Sequence, residues 1–304
     1  MIFNNSSEAK EYVVLKTNRL LNKKELEGVI SDCRDKVNEA CTEESRELWA
    51  EELEKFKELS VNQDYVDGLL PQGIDELIIE MIEWRAMIYA LQRVETKRNA
   101  FEESAFFAQW YLGAIYGVFS IFGKLLSKDS RDNSLRKLWQ LISPIMLEDG
   151  ACLKQETDYI NGCLSVKTGL FTNDKSKAML FRNKFVSHNE ATPKVVWEDI
   201  DRDISVLIRM WSLLVSWSSF GIVHPFRDDS CIFLGTEAMF DDLEVKTLLR
   251  ARQEYLDMVA AWSKTYAHSG EVDVGFRLID YSLRKQLRSF DLPLLHCCYR
   301  RFVV

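Results

Sequence analysis

Apolar residues recur at intervals of three and four along most of the chain, which is the spacing of amphipathic α-helices. Residues 23–59 contain two such stretches, and the second starts at Thr42 with the acidic first turn, Glu43 and Glu44, that is typical of a helix N-terminus. They predict a helical hairpin with a charged, solvated outer face. The densest cluster of glycine and proline follows at residues 62–73 and indicates a domain boundary.

Helical periodicity also dominates the rest of the chain. The predicted helices cover residues 75–97, 133–141, 175–187, 196–220, 243–266 and 272–288. Ser143 and Pro144 are expected to end the second of these, and residues 148–172 are expected to form short helices and loops. The low count of 13 Gly and 5 Pro argues against a many-stranded β protein and favours long helices. We predict an all-α fold with an N-terminal helical hairpin (residues 1–70), a central helical domain (71–222) and a C-terminal helical extension (223–304).

The most apolar stretch is residues 106–126, in which only Gln109, Ser120 and Lys124 are strongly polar. Its length admits a membrane span. However, the stretch is rich in aromatic and small residues, contains a lysine and has no counterpart elsewhere in the chain. A buried central helix is hydrophobic on all sides for the same physical reason. We therefore predict a core helix and no membrane partner, with a membrane-associated helical protein as the alternative.

Cysteine usage and charge restrict the function further. The seven cysteines are odd in number and form no C-x-x-C pair, and residues 1–12 lack the apolar segment of a signal peptide. We therefore expect a reducing, cytoplasmic location. The net charge of −8 excludes a globally basic nucleic-acid binder, so any contact with nucleic acid must use a local patch.

One local patch of this kind is present in residues 175–189, KSKAMLFRNKFVSHN. This segment contains four cations and no carboxylate. It also contains His188, one of only four histidines in the chain. Arg182 is followed by the polar Asn183 and is separated from His188 by five residues.

The sequence R-N-x4-H resembles the R-x(4–6)-H motif of the HEPN superfamily of small helical domains, many of which are metal-independent ribonucleases. An apolar aromatic helix, SLRKLW at residues 134–139 and an amphipathic closing helix surround the motif. This order resembles the abortive-infection (AbiU-like) branch over residues 75–220. The resemblance implies a HEPN-like up-and-down helical bundle with extra N- and C-terminal helices. It also implies a homodimer that acts on RNA in a toxin, stress or phage-defence role.

The chemistry of RNA cleavage assigns roles to this segment. Without a metal, the reaction needs a proton acceptor for the 2′-OH, a proton donor for the leaving 5′-oxygen and positive charge at the phosphorus. His188 is the expected general acid and base, because imidazole titrates near neutrality. Arg182 is the expected phosphate clamp, and Asn183 is expected to orient the site. The expected contacts to the RNA backbone are Lys184, Lys177 and Lys175. No cofactor and no metal are expected.

The spacing of the motif raises a geometric question. On an ideal helix a six-residue offset places Arg182 and His188 about 240° apart, so that they do not share a face. Either the chain leaves the helix at His188 and the imidazole turns back, or the pair forms across two chains. A third possibility is structural, because cations at a helix C-terminus satisfy carbonyls and favour the dipole.

Other functions and sites remain as alternatives. The alternative function is a non-catalytic module that binds a nucleotide or a partner protein, either an antitoxin or a regulatory protein. A metal site would use Glu198, Asp199, Asp201 and Asp203, but no histidine is spaced to complete it, and the dipole alone favours carboxylates there. The remaining polar candidates are His224, His268, His296, Cys297 and Cys298, and the basic residues Arg277, Arg284, Lys285, Arg288, Arg300 and Arg301 of the C-terminal region.

Overall fold

The computed structural model describes residues 3–17, 23–68, 70, 73–96, 104–188, 194–218, 232–237 and 239–263. All regular secondary structure in these ranges is helical, which confirms the predicted all-α fold. The helices are α1 (Ser6–Thr17), α2 (Lys23–Glu39), α3 (Glu43–Val61), α4 (Gln63–Val66), α5 (Ile74–Leu91), α6 (Ala105–Leu125), α7 (Leu135–Glu148), α8 (Lys154–Leu164), α9 (Lys177–Phe181), α10 (Trp197–Ser218) and α11 (Asp242–Trp262). A π-helical turn, Arg182–Ser187, follows α9 directly.

A single hydrophobic core lies between α1, α5, α6, α7, α10 and α11. Helix α5 packs on α1, α6 and α11, whereas α10 packs on α1, α7 and α11. Large side chains fill the centre, with Trp139 and Trp211 fully or almost fully buried. Each buried side chain of this kind stabilises the fold by about 1.5–3 kcal/mol. The predicted division of the chain into domains at residues 70 and 222 stays a prediction. Residues of α1 and α11, which lie outside the predicted central domain, belong to the same core as the central helices.

The predicted hairpin consists of α2 and α3, which pack mainly on each other. Thr42 caps α3, because its hydroxyl accepts a hydrogen bond from the backbone N–H of Ser45 at 3.2 Å. Leu26 and Leu53 are buried between the two helices, and the outer surface carries charged residues. The predicted start of α3 is therefore confirmed.

Two predicted helix ends are wrong. Helix α5 ends at Leu91 and not near residue 97, because the N–H groups of Gln92 and Arg93 close a tight turn on the carbonyls of Ile88 and Ala90. Helix α7 continues through Pro144 to Glu148. The proline leaves one carbonyl without its helical partner. Fully buried side chains on both sides of it, Ile142 and Met146, hold the helix in the core.

Helix α6 is not buried on all sides, because exposed residues recur along it as far as Ser120 and Lys124. Phe106 is 70% exposed, Leu112 is 39% exposed and Tyr116, in the middle of the helix, is 38% exposed, so the expected burial on all sides is wrong. Of the helices that the structure describes, α6 alone has the length and composition of a membrane span, and 28% of its most apolar window is buried. One such helix is weak evidence for a membrane protein, because core helices share these properties.

Candidate functional site

The basic segment is anchored to α10 by a buried hydrogen bond. Ser176 caps α9, because its Oγ accepts a hydrogen bond from the N–H of Met179 at 2.9 Å. The same hydroxyl donates to Oδ2 of Asp203 on α10, and both residues are fully buried. Burial raises the pKa of Asp203, against the hydrogen bonds from Ser176 and Arg202. This hydrogen bond therefore holds the N-terminal end of the basic segment against α10.

The motif itself forms a π-helical turn. The sequence predicts a plain helix over residues 175–187, whereas the structure has a short α-helix followed by the π turn Arg182–Ser187. Such turns use hydrogen bonds to the fifth residue along the chain and occur frequently at functional sites. The turn packs on α6 through aromatic rings. Phe181 lies 4.5 Å from Phe119, and Phe185 lies 5.6 Å from Tyr116, both measured between ring centroids.

Arg182 and Asn183 are in direct contact. Nη1 of Arg182 donates to Oδ1 of Asn183 at 2.8 Å, and Nδ2 of Asn183 donates to Oδ1 of Asn173 at 2.7 Å. The guanidinium lies across Gly123 of α6, where a Cβ atom would be 2.6 Å from its Nε. A glycine inside a helix costs about 1 kcal/mol relative to alanine, which is a sequence signal for such a close approach.

His188 occupies the residue at which the chain leaves the turn. Its backbone is extended, with φ −130° and ψ 138°, and its side chain is exposed. The helix therefore ends at His188, as the first of the two geometric alternatives requires. No hydrogen bond joins His188 to Arg182 within the described part of the chain. Arg182 and His188 of one chain therefore lie at the two ends of the same π turn, but they are not hydrogen-bonded to each other.

The three predicted RNA-contacting lysines have different environments. Lys177 is paired with Asp199 at 2.8 Å, and this hydrogen bond lowers the pKa of Asp199. Nζ of Lys175 donates to the carbonyl of Thr168 at 2.5 Å. Lys184 is half-buried within the π turn. The charge of Lys177 is therefore largely compensated by Asp199.

The carboxylates at the start of α10 point to separate partners. Asp199 pairs with Lys177 and Asp203 accepts from Ser176, whereas Asp201 forms a bidentate ion pair with the buried Arg85. Among the described residues, no group of three His, Cys, Asp or Glu side chains is arranged to hold a metal ion. The candidates that lie outside the described residues are His224, His268, His296, Cys297, Cys298 and the basic residues of the C-terminal region.

The site combines an exposed imidazole, a positioned guanidinium and aromatic rings on one short turn. The sequence pattern does not indicate Gly123, Tyr116 or the anchoring role of Asp203, because each depends on contacts between residues that are distant in the chain. Comparison of the chain with protein-family models, curated proteins and solved structures gives no match.

Proposed function

We propose that this protein is a metal-independent endoribonuclease of the HEPN type, in which Arg182 and His188 cut RNA. The proposal includes a cytoplasmic location and a toxin, stress or phage-defence role. One observation carries it. The R-N-x4-H motif forms a π turn in which Asn183 and Gly123 position the guanidinium, while His188 lies exposed at the end of the turn.

The chemistry follows from these two side chains. His188 takes the proton of the 2′-OH, and the 2′-oxygen attacks phosphorus to form a 2′,3′-cyclic phosphate. The bond to the 5′-oxygen breaks, and that oxygen takes up a proton from an imidazolium. Arg182 donates to the phosphate oxygens through its planar guanidinium. One such positioned donor stabilises the transition state by about 3–4 kcal/mol.

A homodimer completes this proposal. Since Arg182 and His188 are not hydrogen-bonded within the described chain, the motifs of two copies are proposed to meet in one cleft, as the family resemblance implies. The exposed apolar side chains Phe106 and Leu112 of α6, the helix on which the motif packs, support a contact between copies. Burying each of them contributes about 1.5–3 kcal/mol at most.

The alternative is a non-catalytic module that binds a nucleotide or an antitoxin or regulatory protein. It is favoured by the engagement of the Arg182 guanidinium within the chain, where it contacts Asn183 and packs on Gly123. In this alternative the arginine has a structural role and the basic segment holds a ligand without cutting it.

A cleavage assay separates the two. Purified protein is incubated with single-stranded RNA, and the His188→Ala variant is compared with Ser187→Ala, which alters the exposed neighbour. General acid–base catalysis contributes about 10²–10⁴-fold, so His188→Ala should lose at least 100-fold in rate while Ser187→Ala stays near the parent. Equal cleavage by both variants would exclude His188 as the catalytic group. Tight binding of RNA or nucleotide without cleavage by any form favours the alternative.

A further inference from the structure

We infer that Tyr116 and Phe185 form a stacking platform for one unpaired base of single-stranded RNA, an inference that rests on the proposed ribonuclease function. Tyr116 lies on α6 and is 38% exposed, although it is a large aromatic residue. Phe185 lies on the π turn, with its ring centroid 5.6 Å from that of Tyr116 and its plane tilted by 36°. Phe185 is three residues along the chain from Arg182 and three from His188, so the pair lies beside the motif.

The pair is held in place from the core. The Phe185 ring lies 4.8 Å from Phe181, and Phe181 lies 4.5 Å from Phe119, which is almost fully buried. This series of rings connects the surface to the interior of the bundle. A ring that is fixed in this way loses little conformational freedom when a base stacks on it. The platform is thus pre-formed in the protein without RNA.

The surrounding charge favours RNA as the occupant. Neither α6 nor residues 175–188 contain a carboxylate, in a protein whose net charge is −8. Lys124 lies two helical turns after Tyr116 on the same face of α6, and Lys184 precedes Phe185. Surfaces that bind single strands combine such cations with exposed aromatic rings.

The platform also selects a class of substrate. A base offers its flat face to a side chain only when it is unpaired, whereas a duplex hides the faces of its bases. We therefore expect single strands and loops to bind, with little preference for any base, because every base has a π face. Duplex RNA should interact only through its phosphates.

The test measures binding in the His188→Ala background, in which RNA remains uncut. A fluorescent single-stranded oligoribonucleotide is titrated with Tyr116→Ala, with Tyr116→Phe and with Tyr159→Ala, which removes an exposed tyrosine on α8. Stacking of one base predicts a loss of about 5- to 150-fold in affinity for Tyr116→Ala. Tyr116→Phe and Tyr159→Ala should bind like the background protein, and duplex RNA should bind equally to all of them.

Each result bears on a different claim. Unchanged single-strand affinity in Tyr116→Ala overturns the platform but leaves the ribonuclease intact if the wild-type protein cuts RNA. A changed oligomeric state in sedimentation, with RNA affinity unchanged, also overturns it and assigns the surface to a second copy. A wild-type protein that neither binds nor cuts RNA overturns the proposed function itself.

Discussion

The guanidinium of Arg182 lies across the backbone of Gly123, and a Cβ atom at residue 123 would be only 2.6 Å from Nε and 3.1 Å from Cζ. The two residues belong to different elements, the π turn and α6. The position of the proposed phosphate clamp therefore depends on the absence of a side chain at residue 123.

Gly123→Ala should reduce RNA cleavage with little change in stability. The added methyl group must displace the arginine side chain, which is flexible, so the helix can remain intact. A displacement of about 1 Å can cost about 100-fold in rate, and we expect a loss of this order. The measurement is the cleavage rate, with the thermal unfolding midpoint recorded beside it.

Gly117→Ala is the matched control on the same helix. Its added methyl group meets the Trp84 ring at 3.4 Å, which is an ordinary van der Waals contact. This variant should cut RNA at the rate of the parent. If Gly123→Ala also retains full activity, the contact with Gly123 does not position Arg182 for catalysis.

Asp75→Asn should stabilise the protein at alkaline pH. Asp75 is buried and accepts a hydrogen bond from Nε1 of Trp211 at 2.6 Å. Burial raises its pKa from 3.8 to about 7, against the effect of this hydrogen bond. The folded protein therefore holds a proton that the unfolded chain releases above pH 4. Its stabilising effect is fully present below pH 4 and is lost as the pH rises through 7.

Urea unfolding between pH 4 and 8 measures this effect. Three pKa units correspond to about 4 kcal/mol at most, so Asp75→Asn should remove a pH dependence of this order and gain stability at pH 8. Asp149→Asn is the control, because Asp149 accepts a hydrogen bond from Trp217 at the exposed surface. A parental pH dependence in Asp75→Asn would contradict the assignment.

Asp201→Ala should strongly destabilise the fold. Asp201 holds the buried Arg85 in a bidentate pair at 2.8 and 2.6 Å and accepts a hydrogen bond from the Tyr255 hydroxyl at 2.9 Å. Its removal leaves a buried charge uncompensated, which costs about 3–5 kcal/mol. The free energy of unfolding in urea measures the loss. Glu43→Ala, which removes the exposed partner of Arg46, should cost less than about 1 kcal/mol. Equal losses would contradict the role given to Asp201.

Phe106→Glu should separate the proposed homodimer into single chains. Phe106 is exposed at the start of α6, and a charge there would have to be desolvated in a contact between copies. Sedimentation velocity measures the oligomeric state. Leu234→Glu changes another exposed apolar residue and should leave the dimer intact. A dimer that persists in Phe106→Glu would place the contact elsewhere.

The sequence predicts where helices lie better than it predicts where α7 ends or that residues 182–187 form a π turn. Helix α11 and the helix that begins at Trp197 follow the apolar periodicity to within a few residues at every described end. The continuation of α7 through Pro144 does not follow from local preference, because it depends on core packing by residues on both sides. The π turn is equally hidden, since six residues are too few to distinguish a spacing of four from a spacing of five.

The sequence names candidate residues for the site but does not predict which residues of other helices they contact. The motif identifies Arg182, Asn183 and His188, and the end of the helix at His188 is one of the alternatives its spacing allows. The contacts of Arg182 with Gly123 and of Phe185 with Tyr116 join distant parts of the chain. No local pattern encodes such contacts, so the sequence alone does not show them.

The most direct measurement is mass spectrometry of RNA incubated with the purified protein in the presence of EDTA. We predict fragments that end in 2′,3′-cyclic phosphate on one side and in a 5′-hydroxyl on the other, with at least 100-fold slower formation by His188→Ala. Intact RNA with the wild-type protein, or cleavage that EDTA abolishes, would contradict a metal-independent reaction at Arg182 and His188.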